Sequence, residues 1–152
     1  MLPAGANRGH RMRQGLRTAV GVVAGIVVAW LVIVLSQLLS AALYPPPPGT
    51  DLTDPAVLAD FINAAPVTAM GFVIAGYALA ALLGGWVAAR IARAHPRIAA
   101  MVVGGMVLLG VVANYTMIPH PAWMLVSGVL MPLPMAWLGA RLAGRRALPP
   151  TA

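Results

Sequence analysis

The stretch ANYTMIPHPAWM, residues 113–124, sets His120 between Pro119 and Pro121, with Asn114 and Tyr115 just upstream. An imidazole with an ordinary pKa of about 6.5 can serve as a general base. It can also ligate a metal, here with the carboxylates of Asp51, Asp54 or Asp60. Those acids are spread over ten residues, which is not the compact spacing of a metal site. A turn fits the residues better. Two prolines stiffen a short connection between antiparallel helices, and Trp123 falls where tryptophans anchor at a membrane surface. His120 is then expected to order the turn, and no catalytic, cofactor-binding or metal-ligating residue is assigned.

A wider polar set surrounds it: Ser36, Gln37 and Ser40, then Thr68, Asn114, Tyr115, Thr116 and Ser127. Gln37, Asn114 and Tyr115 can line an outward-facing cavity, with His120 and Asp60 at its rim. The competing account is that polar residues gather near water and satisfy loop backbone groups. Trp30 and Tyr77 are the aromatic residues nearest the middle of their apolar runs, and their polar tips need partners. They can face each other, a ligand, or only their packing neighbours. The methionines, scattered in depth, read as adaptable filler rather than metal ligands.

Much chemistry is absent. The chain has no cysteine, which removes disulfides, thiolate metal sites and cysteine nucleophiles. It has no lysine, hence no GxxxxGK[ST] phosphate loop, and neither HExxH nor GxSxG occurs. No charged residue lies deep in an apolar run, which argues against proton-coupled transport.

The elements that must position the polar set are helices in lipid. Of 152 residues, 61% are hydrophobic and 9% charged, too few polar groups to cover a water-soluble domain. Four apolar runs, 18–43, 67–89, 98–118 and 122–140, each reach the roughly 20 residues that a ~30 Å hydrocarbon core requires. The fold class expected is an all-α integral membrane four-helix bundle. Residues 1–17 form a basic cytoplasmic N-terminus, 18–141 the transmembrane domain, and 142–152 a cytoplasmic tail. A cleaved signal peptide is the rival reading of the first run, but signal cores are shorter.

Charge sets the orientation. All ten cations, Arg8, Arg11, Arg13, Arg17, Arg90, Arg93, Arg97, Arg141, Arg145 and Arg146, lie at the termini or between the second and third runs. All three acids lie between the first and second. Arginine collects on the cytoplasmic side, which predicts both termini inside and the acidic loop and IPHPAW outside. The net charge of +7 is thereby explained by topology, with no nucleic-acid partner. Lysine-free composition rich in Ala, Gly, Pro and Arg suggests a GC-rich bacterial genome, and with the four spans a bacterial inner membrane. In the outer loop, Pro45 to Pro48 stop the first helix, and Asp54 followed by Pro55 reads as an N-cap with proline at the first helical position. A short interfacial helix over 55–64 should place Val57, Leu58, Phe61 and Ile62 on one face and turn Asp60 away.

Helices in lipid associate through small residues. Gly21 and Gly25 form one such pair. Gly76, Ala80, Gly84 and Ala88 form a stripe on the second run, and Ala136, Ala140 and Gly144 one on the fourth. These seams can pack within one chain or make a homo-oligomer. Pro132 and Pro134 remove two donors inside the fourth run and should kink it. The segments LGGWVAARIARAHPR, 83–97, and PHPAWM, 119–124, resemble those of small, uncharacterised bacterial four-span membrane proteins. The resemblance implies the four-span fold and carries no activity or catalytic residue. The function expected is non-enzymatic: helix association, as an oligomer or an accessory subunit of a larger membrane complex. The alternatives are a small transporter or lipid-handling protein using the outer polar set, and a membrane enzyme using His120.

Overall fold

The computed structural model describes residues 4–118 and 120–144, with side chains from residue 9 onward. Arg145, Arg146 and the rest of the expected tail after Gly144, together with Pro119 and the side chain of Arg8, lie outside the described residues. Among those described, the chain is all helix: α1 (Ala4–Leu43), α2 (Pro55–Ala64), α3 (Val67–Ile91), α4 (Pro96–Met117), α5 (Ala122–Leu130) and α6 (Pro132–Gly144). Four segments are long and apolar enough to cross a membrane: Gly9–Leu43, Val67–Ile91, Pro96–Met117, and α5 with α6 together, Ala122–Gly144.

Local chemistry explains the boundaries. α1 starts well ahead of residue 18, because Arg, Gln, Met and Leu continue a helix readily and no proline interrupts it before Pro45. Asp54 caps α2, accepting from the Ala56 N–H at 2.8 Å, with Pro55 at the first helical position. Between α5 and α6 the helix breaks at Met131, immediately before Pro132; the missing donors of Pro132 and Pro134 account for it. The N–H groups of Met131 and Met135 still bond to Ser127 and Met131 carbonyls at 3.1 Å, so the two segments stay stacked as one span.

α3 is the hub. It packs on α1, α4, α5 and α6, while α1 and α6 lie on separate faces of it and, among the described residues, do not touch. The paired glycines of GGWVAAR serve those two faces, since adjacent helical residues point about 100° apart. A Cβ on Gly84 would stand 2.6 Å from the Gly25 carbonyl oxygen on α1; one on Gly85 would stand 2.8 Å from the Ala136 oxygen on α6. Only hydrogen at these positions lets the backbones meet. Ala88 sits against Gly21 and Gly25, Ala80 is fully buried, and Gly76 faces Ser36. Spacing places Gly144 with Ala136 and Ala140, yet Gly144 is exposed, and Gly139 makes the close contact instead, against Leu82 and Trp86. Gly144 is the last residue of α6, and a Cβ there would meet nothing within 4 Å, so the seam ends before it.

The core is correspondingly small-grained: Ala29, Tyr77, Ala80, Ala81, Ala88, Val103, Val107, Val111 and Ala136 among others. The large residues Leu31, Leu35, Leu38 and Leu109 face outward. That inversion suits lipid, where a leucine gains little by turning inward but closely packed backbones gain contact. Arg90 stacks over Trp86 at 5.2 Å and Arg141 over Trp137 at 4.3 Å, so guanidinium groups cover the ring faces at the arginine-bearing end.

Candidate functional site

Side chains on a helix lean toward its N-terminus. α3 and α4 run antiparallel, so Tyr77 on one and Asn114 on the other lean toward each other. They meet: the Asn114 amide nitrogen donates to the Tyr77 hydroxyl at 2.9 Å. Tyr77 is 6% exposed, and this bond partners its oxygen inside the bundle.

Tyr115, the next residue, points elsewhere. Its hydroxyl donates to the Met124 carbonyl at 3.0 Å, pinning α4 to α5, and it occupies the space that a Cβ on Gly128 would need. Its ring lies 4.7 Å from the His120 ring, tilted by 55°. Because a carbonyl only accepts, His120 Nδ1, 2.7 Å from the Ile118 oxygen, carries the proton of that bond. His120 thus ties the turn to the end of α4. Tyr44, just after α1, donates to the Thr68 hydroxyl at 3.2 Å, tying the C-terminal end of α1 to the N-terminal end of α3.

Two clefts flank the Tyr77–Asn114 pair. The first, about 360 Å³, lies between α1, α3 and α4 and is lined by Ile26, Trp30, Val103 and Val107, with Gln37, Tyr77 and Asn114. The second, about 290 Å³, lies beneath the α1–α3 connection and is lined by Tyr44, Phe61, Met70 and His120, again with Gln37 and Asn114. The shared residues make the two clefts neighbours around one polar junction. Neither lining contains an arginine or an aspartate among the described residues.

The structure therefore brings Gln37, Asn114 and His120 to the clefts and puts Tyr115 beside them as a strut. Asp60 is exposed on α2 and belongs to neither lining. The other acids are engaged locally. Asp54 caps α2, and Asp51 accepts from the Thr53 hydroxyl at 2.6 Å and its N–H at 3.0 Å. Those two bonds hold the Asp51 carboxyl below the ordinary carboxylate range. No group of three metal-ligating side chains converges among the described residues. Trp30 on α1 and Tyr77 on α3, near one another in depth by sequence, line the same cleft. The Tyr44–Thr68 tie and the Tyr115–Met124 strut carry no periodic signal, since each joins different helices through a single hydroxyl. No protein family, no curated protein and no solved structure matches the chain. The GGWVAAR segment has its explanation in packing on two faces.

Proposed function

We propose that the chain is a small, non-enzymatic, multi-pass protein of the bacterial inner membrane that handles a lipid, holding it in the two adjoining clefts that share Gln37 of α1 and Asn114 of α4. One observation carries this reading: two clefts meet at Gln37 and Asn114, with hydrocarbon along one side of the junction and hydrogen-bonding groups at it. That arrangement complements an amphiphile. Orientation follows from charge. Arg11, Arg13 and Arg17 begin α1, Arg90, Arg93 and Arg97 flank the α3–α4 turn, and Arg141 is in the last turn of α6. Both termini are then cytoplasmic, and α2 lies along the outer surface as an interfacial cap.

A second reading, action as an oligomer or an accessory subunit, is favoured by α1. That helix is held along a narrow seam at Gly21, Gly25 and Ala29, while Val20, Val23, Val27, Leu31 and Leu35 are exposed. The small-residue stripes are already used within the chain, so a partner helix would have to dock on this larger-residue face.

Gly110 provides the test, because it lines the first cleft and a Cβ there meets nothing within 4 Å. Native mass spectrometry of protein purified in mild detergent should show a retained lipid that Gly110→Phe removes without loss of fold. A lipid-free protein that purifies with a stoichiometric second subunit would reject the lipid-handling reading and support the second.

A further inference from the structure

We propose that the paired clefts select an uncharged lipid head, bearing a carbonyl or hydroxyl oxygen and no phosphate, and that the Tyr77–Asn114 pair binds that oxygen. The inference rests on the lipid-handling reading and adds the class of lipid. Charge comes first. Phosphate recognition uses arginine, lysine or a cluster of backbone donors, and among the described residues neither cleft is lined by an arginine. Asn114 lies one turn before the end of α4, and Tyr77 lies well inside α3. At about 1.5 Å per residue the pair sits roughly 5 to 15 Å below the outer helix ends. A phosphate brought to that depth would lose its water and meet no counter-charge.

The hydrogen-bond inventory then points to an uncharged acceptor. The Asn114–Tyr77 bond uses one amide hydrogen and one lone pair of the phenolic oxygen. The Tyr77 hydroxyl hydrogen has no acceptor among the described residues. With the amide turned the other way, Tyr77 would donate to it and the two amide hydrogens would be the unused ones. In both orientations the pair retains a donor at the cleft wall. Gln37, exposed on α1 and lining both clefts, supplies a second amide.

Shape agrees. From Asn114 to Val103 the α4 wall descends about 16 Å, close to half of a ~30 Å hydrocarbon core. Ile26, Val103 and Val107 line that descent, giving a hydrocarbon chain an apolar track below its head. Diacylglycerols and prenyl quinones share this chemistry, an uncharged oxygen on a long hydrocarbon.

Trp30 lines the first cleft but is 62% exposed, so bulk lipid adds quenching that rises linearly with mole fraction, and the saturable part of the signal reports on the cleft. The full chain in phosphatidylcholine nanodiscs receives increasing mole fractions of brominated diacylglycerol, of a prenylated benzoquinone, or of brominated phosphatidylglycerol. Each quenches indole emission, and the difference between wild type and Trp30→Phe isolates Trp30. The expected result is saturable quenching by one uncharged lipid at about tenfold lower mole fraction than by phosphatidylglycerol. Which of the two does so identifies the source. Tyr77→Phe should raise the half-quenching fraction about three- to tenfold, the effect of one hydrogen bond, and leave quenching by phosphatidylglycerol unchanged. Gln37→Leu, at an exposed position, should act in the same direction and decides the matter if Tyr77→Phe does not fold. Saturable quenching at equal fractions by charged and uncharged lipids overturns the selectivity while leaving lipid handling intact. Quenching that rises linearly for every lipid and never saturates overturns both. An unchanged half-quenching fraction in both folded variants overturns the role of the polar junction.

Discussion

Asn114 on α4 donates its amide to the hydroxyl of Tyr77 on α3 at 2.9 Å, the polar tie between two helices whose other shared contacts are apolar. Asn114→Leu leaves the buried phenol without this partner. Hydrogen bonds between membrane helices average about 0.6 kcal/mol and reach about 1.7. A loss in that range is expected in reversible unfolding in mixed micelles. Adding Tyr77→Phe should recover part of it, because removing both partners leaves no orphan. A double variant less stable than the sum of the single ones would contradict the pairing.

The α1–α3 seam predicts a position-specific glycine effect. Gly84→Leu must displace the Gly25 carbonyl, which lies 2.6 Å from where its Cβ would be. Overpacking of this kind costs about 1 to 3 kcal/mol. Gly110→Leu, with open space around its Cβ, should be neutral or slightly stabilising through helix propensity. Equal thermal stability of the two variants would show that the seam is not tightly packed.

His120 bonds to the Ile118 carbonyl and lies against the Tyr115 ring. A glutamine amide can donate the same bond, so His120→Gln should lower stability by less than about 1 kcal/mol. Loss of a cellular phenotype in a stable, normally expressed His120→Gln protein would make the imidazole chemically necessary and overturn its role as a turn residue.

Reporter fusions test the topology. A fusion at Asp54 and one after the last residue should report opposite sides of the membrane, with the C-terminal one cytoplasmic. Signals on the same side would remove the charge-based orientation and, with it, the outward placement of the clefts.

Features controlled by neighbours along the chain are legible in the residues themselves. Asp54 and Pro55 start α2 because a carboxylate can reach an N–H two residues on and proline needs no donor there. Pro132 and Pro134 break the fourth span because their rings supply no N–H. Four spans are visible because hydropathy and helix rise are additive along the chain. The candidate site is legible there only as a depth: Gln37, Asn114, Tyr115 and His120 all fall near the same ends of their helices.

Sequence alone determined how many long apolar helices there are, where prolines stop or break them, and which residues share a level, since each depends on composition and on contacts within a turn or two. It placed the start of α1 too late, because the polar residues ahead of residue 18 also favour helix. Tertiary structure decided which residues at that level meet. It turned Asn114 to Tyr77 but Tyr115 to Met124, left Asp60 outside the clefts, and chose Gly139 over Gly144 for the α3–α6 contact. The physical reason is helix phase. Successive residues diverge by about 100°, and a spacing of four drifts by about 40° per step, so the direction of a side chain is set only when the helix axes cross and pack.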